Sequence, residues 1–309
     1  MFSFLKLLRG NELDRLLKKA ANGRKERFLI VWNRGLGDIA LGLFALVYRI
    51  KNLIPAAHIT FITRKNLEDG FRLLGGVEII TADWMKRGVP FDLRDALVRL
   101  NVKESDFDVI MEKVDPTRWL SWQIGKLVPR LRWNGEYDKY CERFPLPEGK
   151  NCIGVHLNSE TGQFYKYQKD WPPENWRQLF ENICRSGDVR IVLFGNSKTG
   201  DFNMPSVTDL RGETRLLELL SIIKNRCHTL IAPDGGILSL AYYIDTYFQL
   251  RVISLWSDAG QGVLKQRVPS PNKGFEHIPL IGAAGNISNI SVRDVLSKIS
   301  FLSNSYRER

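Results

Sequence analysis

Short apolar runs of β character alternate with helical segments along most of the chain, and this alternation leaves few architectures open. Residues 28–32 (FLIVW) read as a strand, ending at the turn Asn33-Arg34-Gly35. Residues 38–51 follow as a helix, with Ile39, Leu43, Leu46, Val47 and Ile50 on one side. Strands are predicted again at 58–63, 77–81 and 108–112, with a helix over 66–74. Proline, glycine and charge then interrupt the pattern at 144–151, which reads as a linker. Beyond it the alternation restarts: strands at 152–157, 189–194, 229–232 and 252–256, helices at 173–184, 215–224 and 237–243. The prediction is an α/β chain of two successive doubly wound domains, 1–148 and 149–309, facing a central cleft. In such sheets ligands bind beyond the carboxyl ends of the strands.

Composition narrows the class. The chain has 309 residues, 44% of them hydrophobic and 26% charged, which suits globular domains and excludes a disordered or collagen-like chain. No apolar stretch reaches the ~18–20 residues of a membrane span. The apolar opening is interrupted by Arg9, Glu12 and Asp14, so no secretory signal is expected. Cys141, Cys152, Cys184 and Cys227 show no CxxC spacing and read as reduced thiols of a cytoplasmic protein. The four histidines form no HxxxH or HExxH, so no metal site is expected.

The net charge is +11 and unevenly placed. Residues 1–27 hold eight Lys/Arg against three acids, and Phe2, Phe4, Leu5, Leu8, Leu13, Leu16 and Leu17 recur at roughly helical spacing. Two readings stand: a basic amphipathic helix lying on an anionic membrane surface, or a surface helix packed on the body with a solvated basic face. Nucleic acid is not favoured, because the aromatics do not interleave with the basic residues as a stacking platform would need.

Three strand-to-helix turns can carry chemistry. Arg34-Gly35-Leu36-Gly37-Asp38 reads as GxGxxA with Ala40. Asp38 would repel a pyrophosphate at the helix start, and Arg64-Lys65 stands where a ribose-binding acid belongs. An NADP site using Arg64, an Asp38 that merely caps the helix, and an Asp38 held as a general base remain three readings. Asp234-Gly235-Gly236 opens a helix with free N–H groups and no side chains in the way, which suits a diphosphate. Lys169, just before the helix that begins near Pro173, is unfavourable for the helix dipole and calls for an anionic partner: Asp170, Glu174 or a phosphate. The loop 196–200 lacks phosphate-loop spacing.

Taken in order, these residues resemble glycosyltransferase family 9, the bacterial lipopolysaccharide heptosyltransferases. Gly35-Leu36-Gly37-Asp38 is similar to the family's (S/G)-x-G-D turn, Lys169-Asp170-Trp171-Pro172 with Trp176 to its K-x-W-P…(W/F) signature, Asp209-Leu210-Arg211-Gly212 to its D-L-x-G stretch, and 233–241 to its D-(S/T/G)-G-x-x-H-L-A turn. The resemblance implies a GT-B fold of two Rossmann-like domains, acceptor-binding then nucleotide-sugar-binding, with the last helix returning onto the first. It implies an inverting, metal-independent transferase with no cofactor, moving a heptose or related sugar from a nucleotide-diphosphate donor, foremost an ADP-sugar. The acceptor would be an anionic lipid-linked saccharide, met by a cytoplasmic protein peripheral on the inner face of the cell membrane. Asp38 would be the base and Lys169 would neutralise the leaving diphosphate. Asp234, Gly235, Gly236, Ser239, Gly195 and Asn196 would hold the donor, with Arg34, Gly35, Gly37 and Arg64 on the acceptor side. Ser239 stands where the family has histidine, which keeps a non-catalytic binding or scaffold protein of the same fold as an alternative beside the NADP-dependent oxidoreductase.

Overall fold

A computed structural model describes residues 11–146, 151–159, 168–185, 189–198 and 200–299. The chain forms two compact units, Met1–Leu131 and Arg132–Arg309.

The first unit runs α1 (Glu12–Asn22), β1 (Arg27–Trp32), a π-helical turn (Ile39–Leu43) leading into α2 (Phe44–Leu53), β2 (His58–Arg64), α3 (Glu68–Leu74), β3 (Glu78–Ala82), α4 (Leu93–Arg99), β4 (Val109–Met111) and α5 (Pro116–Trp119). Its strands pair in parallel in the order β3-β2-β1-β4. Strand β1 is apolar from Phe28 to Trp32 and buried throughout that run, as a parallel strand covered on both faces must be. Because β1 pairs with β2 on one side and β4 on the other, its carboxyl end is the switch point of the sheet. The turn carrying Asp38 leaves from there.

Helix α1 shows which reading of the basic segment holds for its described part. The Asn11 side chain accepts from the Leu13 backbone N–H at 3.0 Å and starts the helix. Leu13, Leu17 and Ala20 are buried, and Arg49 of α2 donates to Asp14 at 2.8 and 3.0 Å. Glu12 pairs with Arg118 of α5. Leu13, Leu17 and Ala20 are thus taken up within the unit, while Leu16 stays exposed with Arg15, Lys18 and Lys19. Phe2, Phe4, Leu5 and Leu8 lie outside the described residues.

The second unit opens with a 3-10 helix (Gly135–Arg143) and continues β5 (Cys152–His156), α6 (Pro173–Arg185), β6 (Arg190–Phe194), β7 (Val207–Asp209), α7 (Leu216–Arg226), β8 (Thr229–Pro233), α8 (Gly236–Tyr243), β9 (Leu250–Trp256), α9 (Gly262–Gln266), β10 (Phe275–Ile281) and α10 (Val292–Leu296). The parallel order is β10-β9-β8-β5-β6-β7. The first strand, β5, lies between β6 and β8, so the switch point falls at the carboxyl ends of β5 and β8.

One placement differs from the sequence-based expectation. Residues 135–143, assigned to the first domain by a boundary at 148, pack on α7: Lys224 meets Asp138 at 2.8 Å, the Cys141 N–H donates to Ser221 Oγ at 3.1 Å, and Arg143 pairs with Glu218. A charged GEYDKYCER segment has little apolar pattern by which to assign it, whereas the Pro/Gly break at 144–151 is conspicuous. The last described helix, α10, lies on α6 of its own unit, with Val295, Leu296 and Ile299 in one cluster with Trp176 and Phe180. Residues 300–309 lie outside the description. The four cysteines are free thiols, and Cys152 Sγ stands 3.9 Å from Cys227 Sγ.

Candidate functional site

At the switch point of the second unit, two turns distant in sequence meet. Lys169 Nζ lies 2.5 Å from Asp234 Oδ2, and the side chains are only 11% and 8% exposed. This carboxylate comes from the turn after β8, which the sequence did not offer among the partners of Lys169. Asp170 accepts from the Ser159 N–H at 2.6 Å, tying the segment before α6 to the end of β5. Burial holds the Asp170 carboxyl above its ordinary range, against that hydrogen bond and the Lys169 charge.

The segment bearing Lys169 is anchored by its tryptophans. Trp171 and Trp176 are each 1% exposed and stack edge-on at 4.9 Å. The Trp171 indole donates to the Ile290 carbonyl at 3.0 Å. These motif residues act from the core: they hold the chain rigid where Lys169 leaves it.

Asp234 precedes α8, whose first residue is Gly236. Gly235 is extended, at φ −165°, so the backbone does not demand glycine there. A Cβ on it would meet nothing nearer than 3.7 Å. The first N–H groups of a helix have no partner within it, which is what makes such a start suit an anion. Gly262 is different. At φ +49° it sits against Asp234 and Trp256, and a Cβ would strike the carboxylate and come within 2.7 Å of the indole. Gly262→Ala is expected to destabilise the unit by about 1–3 kcal/mol, read as a lower midpoint in urea denaturation, and a variant as stable as the parent contradicts this packing.

Ser239 is 1% exposed and its hydroxyl donates to the Gly235 carbonyl at 3.0 Å. The expected donor contact is thus turned into its own helix, as serine does when it bonds back one turn. Gly195 follows β6, and its carbonyl accepts from the Gly212 N–H at 2.7 Å, which fixes the start of the loop carrying Asn196. Arg211 stiffens the same loop: 2% exposed, it grips both oxygens of Asp209 at 2.9 and 2.7 Å and donates to the Gly200 carbonyl at 3.0 Å. Its guanidinium holds the Asp209 carboxyl below the usual range.

In the first unit Asp38 sits at the start of the π-helical turn and makes no side-chain capping hydrogen bond, so the simple cap is not what it forms. It is half-buried, folded back over Gly35: a Cβ there would lie 2.8 Å from Asp38 Oδ2 and 3.6 Å from Arg87 Nη2. Arg87, which the motifs did not single out, therefore borders the same turn. The Trp32 indole donates to the Gly35 carbonyl at 3.3 Å, and Arg64, 9% exposed, donates to the Arg34 carbonyl at 2.8 Å. Arg64 braces the glycine turn from the end of β2, a poor starting point for a cofactor 2′-phosphate. Arg34 is exposed, and Gly37 accepts from the Leu41 N–H at 3.0 Å. Among the described residues no three His, Cys, Asp or Glu side chains cluster as metal ligands.

Comparison with known proteins follows the same lines. Residues 138–263, the stretch holding Lys169, Gly195 and the Asp234 turn, match the family model of glycosyltransferase family 9 (heptosyltransferase). The E. coli ADP-heptose lps heptosyltransferase II superposes with a TM-score of 0.59 at 18% identity, over 91% of this chain and 99% of that one. The family 9 glycosyltransferase of Veillonella parvula DSM 2008 gives 0.60 at 15%, over 91% and 97%. No curated protein matches by sequence. The fold is therefore the α/β GT-B fold of the heptosyltransferases. The family match covers residues 138–263, part of the chain, and the likeness to the two solved structures is one of fold.

Proposed function

We propose that the protein transfers a sugar, a heptose or a relative of it, from a nucleoside-diphosphate donor to an anionic lipid-linked saccharide of the lipopolysaccharide-core type, with inversion and without a metal. The observation that carries this reading is the buried Lys169–Asp234 pair beside the start of α8, at the switch point of the family-matching unit. Glycosyl transfer needs a proton acceptor for the attacking hydroxyl and positive charge for the departing diphosphate. Asp38 is the base; Lys169 and the α8 N–H groups supply the charge; Asp234 holds the donor. An ADP-sugar is the first donor class to test, since the E. coli relative is named for ADP-heptose. The exposed basic face of α1 suits an anionic membrane surface on the cytoplasmic side, with contact rather than insertion; among the described residues no helix is long and apolar enough to cross a membrane.

Melting curves with ADP-, UDP- and GDP-sugars test the reading. A donor at about 100 times its Kd adds ~2.7 kcal/mol of stability and raises the melting temperature by several degrees. The ADP-sugar is expected to do so equally with and without EDTA. No shift with any donor overturns the reading and favours a silent scaffold, which the inward-facing Ser239 would suit; a shift lost in EDTA overturns metal independence.

A further inference from the structure

His156 is a side chain at this site that neither the motifs nor the proposed mechanism uses. It is the last residue of β5, the switch strand, and its ring borders the glycine turn: a Cβ on Gly235 would lie 4.0 Å from His156 Cε1. Its Nδ1 is buried and finds no hydrogen-bond partner among the described residues. A buried polar atom left so costs roughly 1–3 kcal/mol, and a ligand that supplies the missing partner recovers that cost. Of the hydroxyl-bearing residues near the turn, Ser239 spends its proton on the Gly235 carbonyl, and Ser159 Cβ would lie 3.9 Å from a Cβ on Gly235. Burial also lowers the imidazole pKa to about 4, so the ring stands neutral near pH 7 with one N–H to donate.

We propose that His156 binds the donor diphosphate, donating an imidazole N–H to a phosphate oxygen lying over Gly235. The inference rests on the transferase reading and names the donor contact that the buried Ser239 does not make. The phosphate accepts the N–H, and its negative charge further favours the donating ring nitrogen.

The test is calorimetry with ADP, inorganic diphosphate and adenosine on the intact protein, His156→Ala and His156→Gln, joined to the Cε1 resonance of labelled histidine in the unaltered chain. ADP and diphosphate are expected to bind His156→Ala about tenfold more weakly or worse, with adenosine unchanged. Gln, which also offers a neutral N–H, should recover part of the loss. The His156 resonance should move on adding ADP or diphosphate and stay in place with adenosine, a signature that a merely structural ring would not give. ADP binding that is equal in all three proteins, or a His156 resonance that ADP leaves in place, overturns the role of His156 while the transferase reading stands. An unaltered protein that binds no nucleoside diphosphate overturns both together. If His156→Ala does not fold, the Gln variant and the resonance decide.

Discussion

Asp38→Asn is expected to lower turnover by about 10²–10⁴-fold while nucleotide-sugar affinity stays within twofold or so of the parent. The substitution keeps shape and removes the acceptor of the proton. It also separates the two structural readings of the residue. Asn caps a helix about as well as Asp, so a residue valued for its position at the helix start tolerates the change in every assay. A base does not, because a carboxamide takes up no proton near neutral pH. Asp38 makes no side-chain capping hydrogen bond and folds back over Gly35, near Arg87. The comparison is initial rates at saturating donor beside calorimetric affinity. Turnover like that of the parent removes Asp38 from the chemistry; equal loss of affinity makes it a binding residue instead.

The second large effect concerns the pair at the other switch point. Lys169→Met is expected to destabilise the protein by ~3–5 kcal/mol, because it leaves the Asp234 carboxylate, 8% exposed, without its counter-charge. Asp234→Leu should cost a similar amount from the other side. The double variant should recover much of the loss, since apolar groups of similar volume replace a buried ion pair at little net cost. Nucleotide affinity follows a different rule: it should be lost in Lys169→Met and stay lost in the double variant, because no cation remains to meet the diphosphate. Urea denaturation of the four proteins, with ADP titrations on each, separates the two properties. Additive destabilisation across the cycle would show that the two charges do not depend on each other.

The strands that build both sheets were legible because a parallel strand covered on both faces must be apolar along its length: FLIVW, CIGVH and RIVLF announce themselves. The edges of the six-stranded sheet were not. Strand β10 has only half-buried and exposed positions and contains Pro279, and β7 is three residues long. Neither presents a continuous apolar run. The 3-10 helix at Gly135–Arg143 hid among charges whose partners lie some 80 residues onward on α7.

The site was legible as three turns and no further. Which turns meet depends on the sheet order, and Lys169 reaches Asp234 because β5 and β8 are neighbours, although 65 residues separate the two side chains. Ser239 looked like a donor ligand because its register is right, yet a serine hydroxyl can satisfy itself on its own helix, and this one does. His156 carried only the weak signal of a polar residue ending a buried strand, and the glycine turn that gives it meaning comes from another strand.

The central claim is that this chain moves a sugar. Incubating the purified protein with an ADP-sugar and a truncated lipid-linked core saccharide, following ADP release by phosphorus NMR and acceptor mass by mass spectrometry, tests it most directly. ADP and an acceptor heavier by one sugar residue are expected, both formed about 10²–10⁴-fold more slowly by Asp38→Asn. A protein that binds the donor and leaves both donor and acceptor unchanged, whichever of the ADP-, UDP- and GDP-sugars is supplied, contradicts it.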